Sequence, residues 1–145
     1  AYSSFLSSAS SQARELGASI SDVIDSTAEW SRLGYTLDES QELAKWSTVL
    51  SNIGDGIDSA SDAASYLVSI LKGFRMEADE VEHVVNVLNS VGNNEPISES
   101  GIAEALVRSA SALSAAGNSF EEYTVQSIPM ASNSSILLCS VVASF

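Results

Sequence analysis

His83 is the only histidine in the chain, and it sits among Asp79, Glu80 and Glu82. An imidazole with carboxylates around it is a partial metal-ligand set, and Asp79 and His83 are four residues apart, the spacing that shares one face of a helix. A second His or a Cys is needed to make such a set persuasive. Without one, a solvated cluster of charges accounts for the same residues. The stretch "DGIDSASD" at 55–62 has the acidic density of a calcium loop. It lacks the Asp-x-[Asp/Asn]-x-[Asp/Asn]-Gly order and the closing Glu. Acidic residues in the first turn of a helix, facing the positive end of its dipole, explain it better. Serine is abundant, at 30 of 145 positions, yet no Gly-x-Ser-x-Gly occurs and no His is arranged to activate a hydroxyl. No phosphate-binding glycine loop is present. Trp30 and Trp46 could mark a contact surface, but core packing is the usual fate of Trp. The expectation is therefore no catalytic residue, no metal site and no cofactor.

Composition narrows the partners. Six Lys and Arg against nineteen Asp and Glu give a formal charge of −13 and a pI near 4.1. Phosphate neutralisation by basic side chains supplies most non-specific affinity for nucleic acids and anionic membranes, so both would repel this chain. Basic or polar protein partners fit it. Cys139 is the only cysteine, which excludes an intrachain disulfide and a cysteine-built metal cluster and is compatible with a reducing compartment. No positively charged segment opens the chain, and Ala1 in place of Met points to an N-terminus that continues upstream. The longest apolar run, at 136–145, is interrupted by Ser140 and Ser144 and is too short to span a bilayer.

The elements that carry these residues are punctuated by a recurring phrase. "ELGASISDV", "RLGYTLDESQELAK", "LKGFRMEADEV" and "AAGNSFEEY" each place an apolar residue three positions after a Gly, with acidic residues close behind. Gly is the usual helix stop, because it takes the left-handed conformation without strain. A Ser or Thr followed three residues later by an acid is the usual start. Ser19 with Asp22, Thr36 with Glu39 and Ser119 with Glu122 have that spacing, two residues after Gly17, Gly34 and Gly117. The apolar residue, Ile20, Leu37 or Phe120, is expected to pack on the helix just ended. Gly73 and Met76 follow the outline with Arg75 in the cap position, a weaker copy; glycines 17, 34, 54, 73 and 92 are spaced by 17, 20, 19 and 19 residues, with one helix expected in each interval.

Between these marks the apolar period is helical: Ala60, Ala63, Ala64, Leu67, Val68, Leu71; then Val81, Val84, Val85, Leu88, Val91; then Ala103, Leu106, Ala110, Leu113. The spacing predicts helices near 3–16, 20–33, 37–52, 58–72, 77–91, 98–116 and 120–127. The fold class expected is all-α, six to seven short helices in stacked antiparallel hairpins with Gly-capped turns, since short connections reverse the chain. Small residues at this density either let helices approach closely or fill exposed faces.

Laid out in this way, the chain resembles the core region of tail tape measure proteins of long-tailed bacteriophages, prophage-borne copies included. The likeness rests on "GYTLDESQELAKWS" at 34–47, "DAASYLVSILKGFRMEADEVEHVVNVLNSVGN" at 62–93 and "ISESGIAEALVRSASALSAAGNSFEE" at 97–122, and covers roughly residues 5–122. It implies a virion structural protein that fills the tail tube, sets its length during tail assembly and leaves it during genome ejection. It implies tail tube proteins, tail assembly chaperones and further copies of itself as partners. The implied location is the virion tail, and the host bacterial cytoplasm during assembly. It brings no catalytic residues. A helical adaptor or secreted effector with an acidic protein-binding surface is the alternative reading.

Residues 1–122 are thus expected to form one helical domain of that type, and 123–145 an atypical C-terminal tail. "YTVQSIPMASNSSILLCSVVASF" abandons the helical grammar, with Pro129, a Ser cluster and an apolar end. A frameshift or truncation would produce it; so would an ordinary terminal strand or helix. The tail is expected not to be integral to the bundle.

Overall fold

The computed structural model describes residues 2–94, 98–120 and 122. It is all-α: α1 (Tyr2–Leu16), α2 (Ile20–Arg32), α3 (Leu37–Ile53), α4 (Ala60–Phe74), a single 3-10 turn (Ala78–Glu80), α5 (Val81–Asn94) and α6 (Glu99–Ala115). No strand occurs among the described residues. The helix anticipated at 120–127 and the tail from 123 lie outside them, apart from Phe120 and Glu122.

The helix starts are where the capping boxes put them. Ser19 Oγ accepts from the Asp22 amide at 3.1 Å, and Asp22 Oδ2 accepts from the Ser19 amide at 3.4 Å. Thr36 and Glu39 repeat the exchange at 3.3 and 2.7 Å, and Ser119 and Glu122 at 3.3 and 3.0 Å. Each pair satisfies two amide donors that a helix start leaves open, a contribution of about 1 kcal/mol per cap. Gly34 and Gly117 take φ of 98° and 85° just past helix ends, as the punctuation requires.

Two glycines depart from the expectation. α4 runs through Gly73 to Phe74, and Arg75 takes the left-handed φ of 59° that ends it. Gly73 is there for packing, since a Cβ on it would lie 2.5 Å from Ala110 Cβ on α6. Gly92 lies inside α5, where a Cβ would run into the Glu99 carboxyl. The stapling residues also differ. Ile20 and Leu37 are about half exposed. As first residues of their helices they face outward, and the residue ahead of the cap folds back instead. Tyr35 sets its ring edge-on to Trp30 at 5.5 Å, and Ala18 joins the cluster of Ala9, Ala13 and Val23. Phe120 is buried, edge-on to Phe74 at 5.7 Å.

Successive helices alternate in direction. Ser31 bonds Ser40, and Trp30 Nε1 donates to Ser47 Oγ at 3.2 Å, so α2 and α3 are antiparallel. Asn52 Nδ2 donates to the Leu16 carbonyl, bringing the C-termini of α1 and α3 together. The most extensive pairing joins α4 and α6, two apart in sequence and parallel: Gly56 meets Ser100 at their starts, and Gly73 meets Ala110 near their ends. α5 packs mainly on α3 and α6 and touches α4 lightly. One core, including Trp30, Leu43, Leu50, Leu67, Leu88 and Leu106, occupies α2 to α6; α1 adds the small separate cluster around Ala9 and Ala13. Serine plays both expected parts. Ser40 and Ser47 are fully buried where α2 approaches α3, while Ser61 and Ser65 line an open face.

Candidate functional site

His83 lies exposed in the first turn of α5, its ring centroid 6.3 Å from that of Phe120. Asp79 belongs to the 3-10 turn rather than to the helix, so the pair does not share a continuous helical face. Glu80 turns its carboxylate back to the Glu77 amide at 2.7 Å, capping the turn. Among the described residues, no group of three or more His, Cys, Asp or Glu is placed to hold a metal ion. The acidic stretch at 55–62 divides in two. Ser59 is the N-cap of α4, accepting from the Asp62 amide at 3.1 Å, so Asp62 stands in the first turn as the dipole argument predicts. Asp55 turns inward through its backbone: its amide donates to Glu99 Oε2 at 2.9 Å, and its carbonyl accepts from the Ser100 amide at 3.2 Å.

Glu99 is a carboxylate that sequence reasoning missed. Only 4% exposed, it ties the start of α6 to the α3–α4 loop and occupies the space left by Gly92. A buried carboxylate needs such donors, because an unpaired one costs several kcal/mol. Its sequence context, a single acid between two serines in "SES", gives no sign of burial.

The two tryptophans separate. Trp30 is core, 1% exposed. Trp46 is half-buried, its Nε1 donating to Glu42 Oε1 at 2.7 Å with Lys45 Nζ 5.1 Å above the ring. Near the α2–α3 turn, hydrogen bonds from the Thr36 hydroxyl and amide hold the Glu39 carboxyl below its ordinary range. Burial pushes the Tyr35 hydroxyl up, and the Glu39 and Glu77 carboxylates add to this.

What the surface does present is a pair of adjoining grooves between α2 and α4, which touch little and both rest on α3. One, about 440 Å³, is lined by Asp22, Asp25, Glu29 and Asp58 together with Ser51 and Asn52. The other, about 220 Å³, is lined by Trp30, Leu33, Ala64 and Val68, and shares Glu29 and Ser61 with the first. The sequence carries half of the signal: residues 22, 25, 26 and 29 on α2, and 61, 64, 65 and 68 on α4, have matching helical spacing and are mostly small or acidic, which marks two faces but not that they lie side by side.

Fold and surface together define an all-α, acidic protein with two adjoining grooves among its described residues. The chain belongs to the phage-related minor tail protein family, which it matches over residues 10–137. The match runs beyond Glu122, where the likeness read from the sequence ends. No curated protein and no solved structure matches it. The protein is thus a structural component of the phage tail, located in the virion tail and working in contact with other tail proteins. No described helix is long and apolar enough to cross a membrane.

Proposed function

We propose that this chain is a tape measure segment: it acts by assembly, helps set the length of the tail during tail construction, and leaves the tube when the genome is ejected. The observation that carries the reading is the tail-family match over residues 10–137. It is supported by where the three blocks that resemble tape measure cores fall, since they coincide with α3, with α4 through α5, and with α6. The tail tube protein and the assembly chaperones are its proposed partners, and its role is mechanical rather than catalytic.

A length gauge works through residues per ångström. As one continuous helix, 145 residues would mark roughly 220 Å. The described residues instead fold on themselves, with helices of at most 17 residues, about 25 Å each. To serve as a ruler the bundle has to open, its buried apolar faces passing to the tube wall or to other copies. The reading is tested by deleting the gene from the phage and imaging the particles. Tails absent or of scattered length are expected, and restoration in trans should return a single length. Normal tails of uniform length without the gene would contradict it.

A further inference from the structure

The paired grooves between α2 and α4 adjoin, sharing Glu29 and Ser61, and they differ in chemistry from one to the other. α2 supplies Asp22, Asp25 and Glu29 at three- and four-residue steps and finishes at Leu33, which is 48% exposed. α4, preceded by Asp58, runs alongside in the same direction from Ser61 through Ala64 to Val68. From Asp22 to Leu33 the groove extends about 16 Å, or three helical turns. Small side chains, Ser26, Ser61 and Ala64, are among its lining and leave width that larger residues would fill, while Trp30, Leu33, Ala64 and Val68 make its second half apolar.

We propose that this groove docks an amphipathic helix from another protein chain, with Lys or Arg over the acidic end and apolar anchors over Leu33, Ala64 and Val68. Helix-in-groove recognition needs an apolar floor for anchors spaced along one helical face, and this groove has one. Charge complementarity sets both the polarity and the sign of the partner. Four carboxylates line the acidic half and no Lys or Arg does. The starts of α2 and α4 bring about half a positive charge each, and the end of α3 about half a negative one, so the field stays negative. A second copy of this bundle is a poor occupant, because α5 has no Lys or Arg and each of the other five helices has only one. The partner is therefore a different chain, with basic residues clustered at one end of its helix. This site is independent of whether the protein gauges tail length.

The test uses the full chain and a synthetic helical peptide with Leu along one face and Lys confined to one end. A second peptide of the same composition, with the Leu and Lys positions scrambled, is the control. Titration followed through backbone amide signals should shift residues of α2 and α4, and the scrambled peptide should bind at least tenfold more weakly. Replacing Asp25→Lys with Asp58→Lys should weaken binding at least about tenfold, as like charges across an interface do. The equal charge reversal Asp38→Lys with Asp79→Lys, away from the groove, should change it less than about threefold, the residue of long-range attraction. Thermal melts establish that each variant folds. Shifts spread over the acidic surface, equal losses for both charge reversals, equal binding of the scrambled peptide, or no binding at all would each overturn the proposal. The wild-type shift map decides the matter even if the groove variant does not fold.

Discussion

The α1–α2 end of the molecule and the α4–α6 pair are both helix-on-helix contacts, but they are made of different material. α1 docks through Ala9 and Ala13 against Val23, with Ala18 and Ile24 at the margin. α4 contributes Leu67, Ile70 and Leu71 and α6 contributes Ile102 and Leu106 to the main core, all fully buried, and the two helices approach until Gly73 comes up against Ala110. A buried methyl contributes about 0.8 kcal/mol and a buried Leu or Ile about 1.5–3 kcal/mol, so the second contact is several times stronger for a similar helix length. Stability is thereby graded along the chain, and the N-terminal helix belongs to the part that opens first.

Substitutions in the stronger contact should have the largest effects. Leu106→Ala should cost about 2–5 kcal/mol, read as a lowered midpoint in urea unfolding, because it empties a fully packed site. Gly73→Val attacks the same contact from the other helix. Its Cβ would meet Ala110, so α4 and α6 must part, at a cost of about 1–3 kcal/mol in the same measurement. Gly34→Val is a different kind of damage. Nothing lies within 4 Å of a Cβ there, so the cost comes from the backbone φ of 98° alone, at least about 1 kcal/mol in thermal stability. In the weaker half, Ala13→Gly should lower hydrogen-exchange protection within α1 while leaving α4 and α6 as protected as before. If protection falls equally across all six helices, the grading is wrong.

The smallest effect is one of pH. Glu39 is held below its ordinary range by hydrogen bonds formed only in the folded state. A depressed carboxyl contributes stability above its unfolded pKa, and that contribution is lost as pH falls through the folded one. Glu39→Gln should therefore lower stability slightly at neutral pH, flatten the acid limb, and leave stability at pH values below the folded pKa little changed, as read from unfolding midpoints across pH.

The same contrast explains what could be read from the residues in advance. Capping is local, a matter of Ser19 with Asp22 or Thr36 with Glu39, so helix starts and the all-α class were visible in the sequence. The apolar periods of α4, α5 and α6 likewise marked their buried faces. What depends on a distant partner was not visible. Gly73 and Gly92 look like further stops until Ala110 and Glu99 are placed against them. Leu37 follows its Gly at the same interval as Phe120, yet one faces solvent and the other a phenylalanine contributed by α4. The groove arises because α2 and α4 lean on α3 without closing on each other, a relation between three helices that no single period encodes.

Tail length reports directly on whether the protein is a ruler. An in-frame duplication of residues 2–120, introduced into the phage gene, inserts a second copy of the described bundle into the gauge. If the protein is extended in the tube as a ruler, each added residue contributes about 1.5 Å, and tails imaged by electron microscopy should be longer by roughly 180 Å with an unchanged spread. Tails of the original length, assembled with the duplicated protein inside them, would contradict the account.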